Sequence, residues 1–293
     1  MIAVIGAPTS AGAFAPGQED APGALRAAGL VDALGASDRG DTPRFRWRAD
    51  HDHPRAMNAG AVVDGVRAVA AKVQDALRAG DLPVVLGGDC TVGVGTVAGA
   101  VAAGADPRVV YLDLHPDLNT PGSVPDGALD WMGVAHMLDV EGADERLAAA
   151  GPRRPLLRDD DLVLLGTGPG QCTAAERDAI AARDLRPIGV DDLRADPGAA
   201  ARAALGRATA AGRRFLVHFD VDLIDFSDVP LSENTGRGIG VGFETALTAL
   251  GVLLAHDALL GLTVTELNPH HGAQDGADVA RLARALTGAL RSV

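Results

Sequence analysis

The stretch Val110-Tyr-Leu-Asp-Leu-His-Pro-Asp117 decides the fold. Val109 to Leu112 form a short apolar, β-branched run, the mark of a strand buried on both faces of a parallel sheet. The run then turns polar, with Asp113, His115 and Asp117 at every second position. Period-2 geometry sends Asp113 and His115 to one side of the strand and leaves Asp117 in the loop beyond. Three such side chains converging at a strand end repel one another unless a cation sits between them. Phe215-Leu-Val-His-Phe-Asp-Val-Asp222 repeats the pattern, with Asp220 and Asp222 sharing a face. Both acid-rich segments end buried strands, at the sheet edge where open α/β proteins bind ligands. Together they read as one metal site.

Outward from these two segments, strand-like runs alternate with helical ones. The strands are expected at Ile2–Ile5, Val84–Leu86, Val109–Leu114, Leu162–Leu165, Pro187–Val190, Phe215–Val221 and Gly261–Leu267. Helices are expected at Ala21–Ala28, Ala61–Arg78, Val92–Ala103, Trp131–Leu138, Ala174–Ala182, Pro197–Ala211, Phe243–His256 and Ala277–Arg291. Such alternation predicts an α/β fold, a three-layer α/β/α arrangement around a mainly parallel central sheet. No internal repeat or linker-like shift in composition interrupts residues 1–293, so a single domain is expected. Only the polar stretch Ser37–Arg55 reads as a long surface excursion.

Composition narrows the function. A net charge of −13 argues against a nucleic-acid partner. No apolar run approaches the roughly 18 residues of a membrane span, so a membrane partner is not expected either. Cys90 and Cys172 are the two cysteines, too few for a disulfide framework, and a reducing cytoplasm suits them.

A family pattern runs through the same residues. Ile5-Gly-Ala-Pro8 and Pro22-Gly-Ala-Leu-Arg-Ala-Ala-Gly-Leu30 resemble the opening of arginases. Leu86-Gly-Gly-Asp-Cys90 resembles the family's Gly-Gly-Asp-His, and Asp113-Leu-His-Pro-Asp-Leu-Asn-Thr-Pro121 its Asp-Ala-His-x-Asp-x-Asn-Thr-Pro. Asp220-Val-Asp222 with Asp225 resembles Asp-Val-Asp-x-x-Asp, and Thr265-Glu-Leu-Asn-Pro269 resembles Glu-Val-Asn-Pro. The matches keep the family's order over most of the chain, which is identified as a member of the arginase/agmatinase (ureohydrolase) superfamily.

That resemblance implies a two-manganese (Mn2+) hydrolase of a guanidino or amidino C–N bond, with a hydroxide bridging the ions. It also implies a homo-oligomer, trimer or hexamer. Carried over by position, Asp113 and Asp220 bridge both ions, and His115 and Asp222 complete one site. Cys90 and Asp117 belong to the other, where Asp117 also takes the nucleophile's proton. Glu266 holds the guanidinium by a charge-assisted pair, and Asn119 contacts the substrate's amino-acid end.

Departures from the pattern point to a different substrate. Cys90 replaces a histidine, so it is either a ligand favouring zinc, iron or cobalt over manganese, or a small packed side chain. The family's Ser-Gly-Asn-Leu-His-Gly falls on Asp126-Gly-Ala-Leu-Asp-Trp131, which makes Asp126 the substrate-contacting position and Asp130 the proton-shuttling one. A carboxyl shuttles protons only when its pKa is raised toward neutrality. Thr167-Gly-Pro-Gly-Gln-Cys-Thr-Ala-Ala-Glu176 replaces the acids that reach an α-amino group, so plain L-arginine is not the expected substrate.

Other residues carry open readings. His218 reads as a hydrogen-bonding neighbour of the ligands. His270 or His271 is a candidate for the missing shuttle, and Arg237 for pairing with a substrate carboxylate. His51, His53, His136 and His256 read as surface or core positions. Two rival functions stand beside the hydrolase: a family member that has lost turnover or kept a single metal, and a deacetylase-like metal amidohydrolase. The second lacks its carbonyl-polarising hydroxyl, because Tyr111, the only tyrosine, lies inside a strand.

Overall fold

The computed structural model describes residues 1–291. Eight strands form one sheet: β1 (Ile2–Gly6), β2 (Ser37–Asp41), β3 (Leu82–Leu86), β4 (Arg108–Leu112), β5 (Leu162–Thr167), β6 (Ile188–Gly189), β7 (Phe215–Asp220) and β8 (Leu259–Thr265). Their spatial order is β2-β1-β3-β8-β7-β4-β5-β6, and every pairing is parallel. All carboxyl ends therefore share one edge.

Alternation along the strands sorts side chains between two helical layers. Val110, Leu112, Val217, Phe219, Leu262 and Val264 join the core under the helices Pro197–Ala208, Phe243–Leu254 and Ala277–Leu290. Val109, Tyr111, Leu216 and Leu260 point the other way, toward the helices Ala59–Arg78 and Thr91–Ala102. The central strands are buried on both faces, which is why they read as continuous apolar runs.

Several expectations shift. The polar stretch from Ser37 begins as the edge strand β2, paired to β1 and tied down by Arg26, whose guanidinium bonds Asp38 and Asp41. Polar, exposed residues suit an edge, where they discourage further pairing. The helix expected at Trp131–Leu138 is broken into a 3-10 turn, Asp130–Met132, and a short helix, Gly133–Met137, with Trp131 outside helical geometry. Strand β4 stops at Leu112, so Asp113, His115 and Asp117 lie in the loop that follows it. They converge through that loop's hydrogen bonds rather than through the pleat.

Candidate active site at the carboxyl edge

Four strand ends build the site: β3 delivers Cys90, β4 delivers Asp113 to Asp117, β7 delivers Asp220 and Asp222, and β8 delivers Glu266. The loops are held tightly. Asp113 Oδ1 accepts the His115 N–H at 2.6 Å, and Asp220 Oδ1 accepts that of Asp222 at 2.7 Å. Each acid thus folds its own loop while Asp113 Oδ2 and Asp222 Oδ1 stay buried without partners. His115 Nδ1 lies 2.9 Å from Asp222 Oδ2. Ligand atoms of Asp113, His115 and Asp222 lie within 4.8 Å of one another, as do those of Cys90, Asp220 and Glu266, and of Cys90, Asp113 and His218.

Electrostatics set this cluster apart. Burial pushes the Asp113 carboxyl up to about 7. Burial, with the Asp222 charge next, raises Asp220, and burial, with the Asp113 charge next, raises Asp117. For Asp222 burial acts upward too, but the neighbouring His115 prevails and holds it below the usual carboxylate range. His115 is raised in turn, because the Asp222 charge outweighs the burial that would lower it. A divalent ion is the group such a donor set fits: the orphaned oxygens face no protein donor, and the acids have no arginine or lysine among them.

Asp117 sits in left-handed geometry at φ 51°, and its Oδ2 accepts the Tyr111 hydroxyl at 2.5 Å. The hydroxyl is spent there and does not line the cleft, which removes the electrophile a deacetylase-like reading requires. Glu266 also has positive φ, 62°. Its Oε1 accepts the Cys90 N–H at 2.7 Å, and its Oε2 accepts the Gln18 amide. Left-handed backbone at two non-glycine site acids is costly and persists only where surroundings enforce it. For Glu266, the enforcement includes its N–H donating to the Gly88 carbonyl at 2.8 Å.

Cys90, 3% exposed, stands at the N-cap position of the helix Thr91–Ala102. Its Sγ lies 3.0 Å from Asp220 Oδ2, 3.2 Å from Thr265 Oγ1 and 3.3 Å from His218 Nε2. Burial and then the charges of Asp220, Glu266, Asp117 and Asp113 push its thiol well above the ordinary range. Burial drops the His218 imidazole to about 3, so the ring is neutral. The Thr265 hydroxyl lies 3.1 Å from His218 Nε2.

The cleft above encloses about 330 Å³ and is lined by Cys90, His115, Asp117, Asp126, Asp130, Asp220, Asp222 and Glu266 among the expected residues. Burial and then the Asp89 charge raise Asp130 well above the carboxylate range, as proton shuttling requires. Asn119 does not line the cleft. It is fully buried, and its Oδ1 accepts the Thr173 and Ser123 hydroxyls, which makes it a brace for the loop. Glu176 braces the same loop by accepting the Leu118 N–H at 3.1 Å. His270, His271 and Arg237 also stay out of the cleft: His270 bonds Asp20, His271 bonds the Ser232 carbonyl, and Arg237 stacks on Phe226.

The sequence reading missed Gln18, Asp89, Glu233 and the rim residues Phe14 and Trp131. Asp89 accepts the Gly12 N–H at 2.9 Å and so ties the N-terminal loop over the site. Gly88 permits this, since a methyl group there would overlap the Thr9 carbonyl oxygen. The adjacent Gly87-Gly88 was the available signal of a close approach.

Comparison with known proteins agrees with this fold. The family model described as Arginase family matches residues 1–290. The arginase of Agrobacterium fabrum is 30% identical over 280 residues, covering 91% of this chain and 83% of that one. The solved arginase of Bacillus caldovelox superposes with a TM-score of 0.86 at 25% identity, covering 99% of this chain and 97% of that one. A formimidoylglutamase of Bacillus subtilis shares the fold, with a TM-score of 0.78 at 18% identity over 100% of this chain and 87% of that one. By sequence pattern, fold and shared length, the chain belongs to the arginase family.

Proposed function

We propose that the whole chain is one catalytic unit that hydrolyses a guanidino or amidino C–N bond with two divalent ions, in a reducing cytoplasm that keeps Cys90 a thiol. The observation that carries the reading is the set of buried, unpartnered acids at adjacent strand ends, with Asp113 and Asp222 each presenting an orphaned oxygen. As the resemblance implies, Asp113 and Asp220 would be shared by both ions, His115 and Asp222 would complete one position, and Cys90 and Asp117 would serve the other. Divalent ions so held supply Lewis acidity and lower the pKa of water at the site.

The protein's own groups do the rest. Glu266, fixed by the Cys90 N–H and Gln18, keeps a free lone pair on each oxygen for a planar cation. Asp117, held by Tyr111, takes the proton released by the attacking water. Burial and the Asp89 charge raise the Asp130 carboxyl well above the usual carboxylate range, which suits it to hand a proton to the departing nitrogen. Phe14 and Trp131 at the rim limit water.

Substrate choice follows the acids. Asp126, Asp130 and Glu233 line the cleft with Glu266, while the segment around Gly168 braces a loop instead of reaching an α-amino group. A guanidino compound with further positive charge or donors near the reacting carbon is therefore favoured over plain L-arginine, by about 2–4 kcal/mol for a desolvated pair. The test compares kcat/KM for L-arginine, agmatine, N-hydroxyarginine and guanidino acids on metal-loaded protein. L-arginine as best substrate overturns the specificity; no C–N cleavage of any guanidino or amidino compound overturns the hydrolase. Light scattering checks the trimer or hexamer that the resemblance implies.

A further inference from the structure

We infer that His218 is itself a metal ligand, and that with Cys90 it makes the deep half of the centre a thiolate–imidazole–carboxylate site selecting zinc(II) or cobalt(II) over manganese(II). The inference deepens the dinuclear reading above and rests on it. His218 lies two residues before Asp220 on β7, so the pleat turns both side chains to one face. Its Nε2 is 3.3 Å from Cys90 Sγ, and ligand atoms of Cys90, Asp113 and His218 fall within 4.8 Å of each other. Asp113, 1% exposed, keeps Oδ2 without any hydrogen-bond partner.

The ring is built into place. It stacks on Tyr111, its register partner on β4, with centroids 4.0 Å apart and planes 2° from parallel. A Cβ at Gly93 would come within 2.5 Å of Nδ1, so the glycine makes room for the imidazole. Wedged between Tyr111 and Gly93, the ring directs Nε2 at the sulfur and the Thr265 hydroxyl.

A rival use of the same pair is a thiolate nucleophile with an imidazole base. Charge decides against it. Asp220, Glu266, Asp117 and Asp113 all act on the sulfur, and a lone thiolate among them would be repelled. A divalent ion reverses that balance by neutralising sulfur and carboxylates together. Thiolate, imidazole and carboxylate on one ion form a zinc-type donor set, whereas manganese prefers oxygen donors. The His115 position keeps an oxygen-rich set, so the two halves of the centre select different metals.

The test uses the full chain, kept reduced, stripped with a chelator and reloaded with cobalt(II), zinc(II) or manganese(II). Ions per chain, affinity and the cobalt absorption spectrum are the readouts, independent of turnover. Wild type is expected to hold two ions and to show a sulfur-to-cobalt charge-transfer band in the near ultraviolet. Cys90→Ser should lose that band. His218→Gln should keep it, with shifted visible bands, and should lose affinity for one ion by at least about tenfold, the low end of what even outer-shell changes do. The zinc-over-manganese preference of that position should fall in both variants. A His218→Gln protein matching wild type in stoichiometry, affinity and cobalt spectrum overturns the inference and leaves the dinuclear reading standing. No ion bound in wild type overturns both. Zinc X-ray absorption on wild type needs no variant: one sulfur at about 2.3 Å and two imidazoles shared over two zincs are expected, and a single imidazole overturns the inference.

Discussion

Buried aspartates stand at both edges of the β7-β4-β5 part of the sheet, Asp161 at the amino edge before β5 and Asp113, Asp117 and Asp220 at the carboxyl edge of β4 and β7, and the two edges treat them in opposite ways. At the amino end Asp161, 1% exposed, accepts from Arg158 Nε at 2.9 Å and from Arg213 at 3.0 Å. Asp106 beside it pairs with Arg153 at 2.9 Å and with Arg213 at 3.1 Å. Burial acts to raise Asp161, but these partners prevail and hold it low. At the carboxyl end Asp113, Asp117 and Asp220 are equally buried, have no guanidinium, and are pushed up. The same fold that can pair an aspartate declines to do so at one edge. Unpaired burial destabilises the metal-free protein, so that edge is shaped for a cation from outside.

The largest effect should come from removing an acid proposed to be shared by the two ions. Asp113→Ala or Asp220→Ala should take metal content from two ions to at most one and cut turnover by about 10³-fold or more. Elemental analysis matching wild type for either variant would break the contrast at its root. Next comes a buried group handled a third way, by staying neutral. His136 donates from Nδ1 to the Met132 carbonyl and accepts the Asp144 N–H on Nε2, and burial lowers it to about 4. Its folded pKa lies below its unfolded value of 6.5, so the unfolded chain takes the proton first as pH falls. Stability is complete above pH 6.5 and drains away on acidification, by about 2 kcal/mol at pH 5 and about 3 kcal/mol near pH 4. Denaturant curves of wild type and His136→Gln should diverge over that window; parallel curves would exclude the buried neutral ring.

A comparable effect is expected from the ions. Free metal at 100 times its Kd should stabilise the native state by about 2.7 kcal/mol per site, and a melting curve indifferent to chelator would show that the acids are not held for a cation. The smallest effect sharpens the contrast most. In chelated protein Asp161→Asn should lose about 2 kcal/mol, since it leaves charged donors short of an acceptor, while Asp220→Asn should gain about 1 kcal/mol by relieving repulsion. If both variants lose stability alike, the two ends are not handled differently.

The sheet and the clustering of the candidate metal-binding residues were legible because both depend on local pattern. Buried parallel strands announce themselves as apolar runs, and Asp113, His115, Asp220 and Asp222 stand at the ends of two of them. What stayed hidden depends on distant partners. Gln18 reaches Glu266 across 248 residues, and nothing around Gln18 in sequence marks it as a site residue. Asn119 looked like a substrate contact by its place in the motif, yet Thr173 and Ser123 claim its oxygen from elsewhere. The break at Trp131 was unreadable because its apolar spacing continues that of a helix, while the N–H groups of Leu129 and Asp130 are captured by the Gly12 carbonyl.

The strand order also governs how a newly made chain reaches its working state. Strand β8 lies between β3 and β7, so it alone joins β2-β1-β3 to β7-β4-β5-β6. Cys90 follows a strand of the first group, whereas Asp220 ends a strand of the second and Asp113, His115, Asp117 and Asp222 follow strands of that group. A ribosome that has made residues 1–258 has therefore supplied the thiol and these acids without the strand that brings them together. Insertion of Leu259–Thr265 closes the sheet, seats Glu266 against the Cys90 N–H and completes the centre in one late event. Long sequence separations make such a step slow, and until it occurs two open sheet edges are exposed to other chains.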